Sequence, residues 1–310
     1  WRWAMALTLL YGLGTSAWSI SSQALWPHAL AQLTLAALCL LLLAPAPSRA
    51  ALVVAGLVAA VSVANRPQSV TLAVVACAFV AAQQGRRVLY LAAAPLLAGL
   101  VLAAYNRRIF STALGGYGSL SHFDGSLVEG VAGLLVSPNR GLLVFTPIMA
   151  FALWGTLRVW RVAAPPWLRW LGIALLAHVL VHGLFREWWA GYTYGPRYFC
   201  DVLPALTLFL VYGLVPYCRL RAVAVLAAAL AVYGVGVQAI GAWAADDDWN
   251  REPVPLERDP GRVWDWGDLQ IVRSAGNRFQ PFELYRVMVD AFRDPAAAQL
   301  AALAPAQLAG

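Results

Sequence analysis

The chain contains no lysine, so all 22 of its basic residues are arginine. Charged residues of either sign make up only 12% of its 310 residues, against 61% hydrophobic, and mean hydropathy is +0.66. That leaves too few polar groups to cover a soluble globule of this length. The ten-residue alternation of a membrane β-barrel is missing as well. A basic stripe is also missing: the arginines are scattered through loops, which argues against a nucleic-acid partner. Cysteine is limited to Cys39, Cys77, Cys200 and Cys218, all in or beside apolar runs and without metal-ligand spacing, and they read as small core residues. There is no internal repeat, and no secretory signal with a charged start and a small-residue cleavage site. The chain opens at Trp1 directly in an apolar run, which reads as a fragment of a longer protein.

What the chain does have is apolar runs of roughly 15 to 24 residues between short Arg- or Pro-bearing loops, the length of helical membrane spans. The expected fold class is an all-α integral membrane protein with about nine transmembrane helices: residues 3–20, 28–43, 50–64, 69–82, 88–105, 141–160, 168–185, 202–216 and 222–243. Residues 1–243 form the membrane domain and 244–310 an external C-terminal tail, within which 282–293 repeats apolar residues at helical spacing and suits the membrane surface. Assigning the loops alternately to two sides sorts them sharply. One side receives Arg2, Arg49, Arg86, Arg87, Arg158, Arg161, Arg169, Arg219 and Arg221 and no acidic residue, and the other receives all fifteen acidic residues. The positive-inside rule makes the acid-free side cytoplasmic, so any chemistry faces outward.

Two external segments carry most of the chemistry-bearing side chains. FREWWAGYTYGPRYFCDVLP (185–204) brings together Arg186, Glu187, Trp188, Trp189, Tyr192, Tyr194, Arg197, Tyr198 and Asp201. Flat aromatic faces suit sugar rings and a forked guanidinium suits phosphate oxygens, whereas an interfacial aromatic belt accounts for the same Trp and Tyr without any ligand. The turn residues Gly191, Gly195 and Pro196 favour the ligand reading, because a belt needs no tight turn. LLVSPNRGLLVFTPI holds Asn139 and Arg140 in a break between apolar residues, where the arginine needs an anion or must reach the headgroups. Arg66, between Asn65 and Pro67 at the outward junction of two short spans, is a further phosphate ligand or else an interfacial turn residue.

Asp124, Glu129 and Glu187 are carboxylates placed to accept a proton from an acceptor, although exposed loop acids need no such role. His178 and His182 share a helix face at i, i+4 spacing but lack the glutamate of an HExxH site, so no metal is expected and a divalent cation has no support. His28, after Pro27, reads as a cap or packing residue whose outward position keeps it available.

GTSAWSISSQALWPHAL, VANRP, SPNRGLLVFTPI, WWAGYTYGPRY and VWDWGDLQIVR, in this order and separation, resemble the bacterial multi-spanning glycosyltransferases of the GT-C superfamily, of the protein-mannosyltransferase and aminoarabinose-transferase type. The resemblance spans nearly the whole chain. It implies inverting transfer of a sugar from a polyprenyl-phosphate carrier to an envelope glycan, lipid or protein acceptor, on the periplasmic face of the bacterial cytoplasmic membrane. In that superfamily a carboxylate of the first external loop is the base and basic residues at external helix ends hold the lipid phosphate. Arg66 matches such a basic position, and the base is expected upstream of Trp1. Membrane lipid is the other partner, and no cofactor is implied. A flippase for a lipid-linked saccharide and a non-catalytic assembly subunit of the same fold are the alternatives.

Overall fold

The computed structural model describes residues 1–44, 46–113, 122–245 and 248–277. The expected surface helix at 282–293 lies outside the described residues. Every regular element among them is helical.

The first helices are α1 (Arg2–Leu13), followed by a π-helical turn at Ala17–Ser21, α2 (Pro27–Leu42) and α3 (Arg49–Asn65). Pro27 occupies the first turn of α2, where its missing N–H costs no hydrogen bond. The Ser48 hydroxyl caps α3 by accepting from the Ala51 N–H at 3.1 Å. Pro67 ends that helix, since it disfavours helical geometry in the residue before it, and Arg66 is extended at φ −142° and ψ 108°. α4 (Val70–Gln84) then leads through Gly85, at φ +58°, into α5 (Val88–Phe110). The remainder runs through α6 (Leu127–Val136), α7 (Leu142–Phe145), α8 (Met149–Arg158), α9 (Pro166–Gly183), α10 (Leu203–Gly213) and α11 (Arg221–Trp243) to two short tail helices, α12 (Asp248–Arg251) and α13 (Gln270–Ala275).

α3 packs along α2 and α5, α4 against α9, and α8 along α10. The last pair is the closest: a Cβ built on Gly213 would stand 1.8 Å from the Phe151 carbonyl oxygen, so only glycine admits that approach. Leu38, Leu42, Leu52, Phe79, Trp167 and Phe209 fill the shared interior, while Leu33, Leu40, Leu57, Leu100 and Val232 remain exposed on the outer faces.

Side-chain contacts mark two ends of this bundle. Arg49 over Tyr90, Arg158 over Tyr217 and Arg169 on the Val159 carbonyl lie at one; Asn65 on the Pro27 carbonyl and the ion pairs of Asp201 lie at the other. Three helical stretches, Pro67–Phe110, Arg197–Tyr217 and Arg221–Trp243, are long and apolar enough to cross a bilayer, and Pro27–Leu42, Arg49–Asn65 and Leu127–Val136 are shorter apolar helices. The chain is a helical membrane protein. Several runs expected as single spans are broken in the structure: 141–160 divides into α7 and α8 around Pro147, and 3–20 ends in the π-helical turn.

Candidate functional site

The end of α3, the start of α2 and the short 3-10 helix Arg197–Val202 before α10 converge at one end of the bundle. Asp201, 8% exposed, is the centre. Its Oδ1 lies 2.7 Å from His28 Nδ1 and its Oδ2 2.8 Å from Arg66 Nε. The Arg66 N–H is not aligned on that oxygen, so this contact is an ion pair rather than a directed hydrogen bond. On its other side His28 accepts at Nε2 from the Arg197 Nε–H, at 3.1 Å. An arginine only donates, so His28 Nε2 carries the lone pair and Nδ1 the proton, which it donates to Asp201. The imidazole is therefore uncharged in this arrangement. Two guanidinium groups against one carboxylate leave a surplus of one positive charge in a buried cluster.

Arg197 is oriented from three directions. Its guanidinium stacks over the Trp26 ring at 4.7 Å, its Nε is held by His28, and one terminal nitrogen donates to the Ala190 carbonyl at 3.3 Å. Ala190 itself sits at φ +68°, followed by Gly191 at +67°, so this loop is shaped by left-handed backbone that alanine adopts only at a cost. His178 Nε2 donates to the Tyr198 carbonyl and His182 Nδ1 to the His178 carbonyl, both at 2.8 Å. The two imidazoles lie against each other at a tilt of 38°, and His182 also lies against the Tyr198 ring at 50°. Beside them opens a cavity of about 530 Å³, lined by Val63, Pro67, Gln68, Asn106, Phe123 and Tyr198 among others, and predominantly apolar.

A second buried cluster gives Arg140 an internal role in place of the expected anion. The side chain is 1% exposed. Its Nε donates to the Trp189 carbonyl at 3.0 Å, and its terminal nitrogens donate to Asn139 O at 2.7 Å, Gln270 Oε1 at 2.6 Å, Asn250 Oδ1 at 2.6 Å and Gly191 O at 3.4 Å. All five N–H groups are thereby used, so Arg140 ties the 189–191 loop to the tail. Asn139 does the same, donating to the Arg262 and Asp265 carbonyls and accepting from the Gln270 N–H at 2.7 Å. Trp249 is clasped between the guanidinium groups of Arg140 and Arg262, 5.1 and 4.9 Å away.

The aromatic residues of the loop also pack within protein. Trp188, 3% exposed, covers Gly133 and meets Trp264; Tyr194 donates to the Val237 carbonyl and lies edge-on to Phe145 at 5.2 Å; Trp189 is 8% exposed. Tyr192 donates to Glu257 and lies beneath Arg251. Their flat faces are occupied, so they hold the loop rather than offer a platform for a sugar.

The three expected acids lie apart from the buried cluster: no hydrogen bond or ion pair among the described residues joins Asp124, Glu129 or Glu187 to Arg66, His28, Arg197 or Asp201. Asp124 is exposed and bound at both oxygens by Arg186, which holds its carboxyl below, and the guanidinium above, their ordinary pKa ranges. Glu129 and Glu187 are exposed. Sequence reasoning counted Asp201 in the 185–204 cluster without a specific role, and passed over Trp26 and Gln270. For Asp201 a signal existed, since a carboxylate entering an apolar span is costly unless partnered.

The five motifs thus meet in two buried clusters. WPHAL and VANRP join YGPRYFCD around Asp201, SPNRG and WDWGDLQ join WWAGYTYG around Arg140, and the 188–201 loop runs through both. No protein-family model matches the chain, and no curated protein or solved structure is significantly similar to it.

Proposed function

We propose that the chain forms about nine spans of a polytopic membrane glycosyltransferase of the GT-C type, which moves a sugar from a polyprenyl-phosphate donor to an acceptor on the outer face of the bacterial cytoplasmic membrane. The observation that carries this reading is the Arg66–Asp201–His28–Arg197 chain together with a large apolar cavity lined by Pro67 and Tyr198, the residues that follow Arg66 and Arg197. A phosphate ester on a long apolar chain needs both features: cationic donors in excess of carboxylate, and an apolar volume next to them.

In this reading the bond between the anomeric carbon and the phosphate oxygen breaks, and the phosphate leaves with the electron pair. Arg66 and Arg197 stabilise the charge that accumulates there. Asp201 and the neutral His28 hold both guanidinium groups in place, and do so before substrate arrives. The acceptor oxygen bonds to the anomeric carbon and gives its proton to a base, which the family resemblance assigns to a carboxylate of the first external loop.

The test uses the full-length protein, a radiolabelled prenyl-phosphate sugar and a separate measurement of prenyl-phosphate binding. Arg66→Ala and Arg197→Ala are expected to lower turnover by about a hundredfold or more and to weaken binding of the unglycosylated prenyl phosphate. Wild-type turnover in both variants overturns the assignment. Passage of intact lipid-linked sugar across liposomes without transfer makes the protein a flippase instead.

A further inference from the structure

At the opposite end of the bundle, the last turn of α8 presents a lipid-facing strip that grades from apolar to cationic. Trp154, Leu157 and Trp160 are 41%, 60% and 54% exposed, and Arg158 and Arg161 follow on adjoining positions of the same helix end. Trp154 and Arg158, at i and i+4 on α8, lie along one face, and Arg161 is exposed in the turn that follows the helix.

Arg158 is held in a fixed attitude. One terminal nitrogen donates to the Tyr212 carbonyl at 3.1 Å, and the guanidinium lies 4.7 Å above the Tyr217 ring. Tyr217 in turn accepts from the Trp154 indole N–H at 3.1 Å, which leaves its own hydroxyl proton to donate. Among the described residues no carboxylate pairs with Arg158 or Arg161, and the segments that meet at this end, 44–49, 85–87, 158–169 and 214–221, contain no acidic residue. The Arg158 guanidinium and the Tyr217 hydroxyl therefore lie together, with Arg161 exposed three residues on and Arg169 bound to the Val159 carbonyl, and with no carboxylate paired to them among the described residues, beside exposed apolar side chains.

We infer that this strip is a binding site for the phosphate of an anionic phospholipid, with Arg158, Arg161 and the Tyr217 hydroxyl on the headgroup and Trp154, Leu157 and Trp160 along the upper acyl chains. The absence of any carboxylate selects against zwitterionic lipid, whose ammonium finds no partner and two repelling guanidinium groups. The site stands independently of the transferase reading, being at the other end of the helices from Asp201.

The experiment is native mass spectrometry of the delipidated full chain in detergent, titrated with phosphatidylglycerol and phosphatidylcholine of identical acyl chains. Wild type is expected to bind phosphatidylglycerol about tenfold more tightly than phosphatidylcholine. The Arg158→Gln, Arg161→Gln double variant brings that ratio close to one, while Arg86→Gln with Arg87→Gln, at the same end but in the turn between α4 and α5, leaves it intact. Should the double variant fail to fold, Arg161→Gln and Tyr217→Phe alone carry the test, each lowering the ratio about threefold. A wild-type ratio near one, a double variant that keeps its preference, or equal loss in the Arg86 and Arg87 variant overturns the site; the last result assigns the preference to diffuse charge.

Discussion

Arg197 donates its Nε–H to His28 Nε2 across 3.1 Å, and this single bond sets the protonation of the imidazole. A protonated His28 turns N–H toward N–H there and stands as a third cation beside two guanidinium groups and one carboxylate. The pairing therefore works only with a neutral histidine donating to Asp201, and each member of the chain depends on its neighbour.

Asp201→Asn removes the sole negative charge of this cluster while keeping its shape. Breaking a buried ion pair from one side costs about 3 kcal/mol or more, because the other charge stays buried. The variant is expected to melt well below wild type in detergent, and Asp201→Asn combined with Arg66→Gln to recover part of the loss. Equal melting temperatures for Asp201→Asn and wild type contradict the ion pair.

Arg140→Ala is expected to act through the tail. It removes a charged donor from the Asn250 and Gln270 side-chain oxygens and from the Trp189 and Gly191 carbonyls, each such hydrogen bond contributing about 1.5 to 3 kcal/mol. Limited proteolysis should cut within 248–277 much faster in this variant than in Arg197→Ala, whose contacts do not reach the tail. Equal cutting rates argue against the lock.

Asp124→Asn tests an exposed candidate base. The Arg186 pair stabilises the ionised carboxylate, so whatever it contributes is complete above the ordinary carboxylate range and disappears as pH falls through the depressed folded-state pKa. An exposed pair of this kind contributes little to stability. Transfer by the full-length Asp124→Asn variant is expected to match wild type at neutral pH; a loss of a hundredfold or more returns Asp124 to the role of base.

Glycine at the α8–α10 contact gives a control on packing alone. Gly213→Ala forces a methyl group onto the Phe151 carbonyl and must separate the helices, an overpacking cost of about 1 to 3 kcal/mol or more. Gly12→Ala meets nothing within 4 Å in α1 and gains up to about 1 kcal/mol in helix propensity. Thermal melts should move in opposite directions.

The class of this protein is legible from composition and run length, because a helix must satisfy its own backbone in lipid and so advertises itself as a long apolar run. The sorting of arginines and carboxylates is legible for a related reason: charge is expensive inside the bilayer and collects at helix ends, and side-chain contacts place Arg49, Arg158 and Arg169 at one end and Arg66, Arg197 and Asp201 at the other. What the sequence could not separate was one arginine from another. Arg140 and Arg197 each follow a Pro-containing turn and read alike, yet Arg140 has all five donors taken by oxygens of the loop and tail, whereas Arg197 is linked to Arg66 through His28 and Asp201. Trp188 and Tyr194 read as ligand platforms for the same reason, since an aromatic ring beside a turn gives no sign of whether protein will cover it. Periodicity and hydropathy act along the chain and are local. The pairing of Arg66 with Asp201, 135 residues apart, and of Asn139 with Gln270, depends on which helix ends meet across the bundle, and only the tertiary structure decides that.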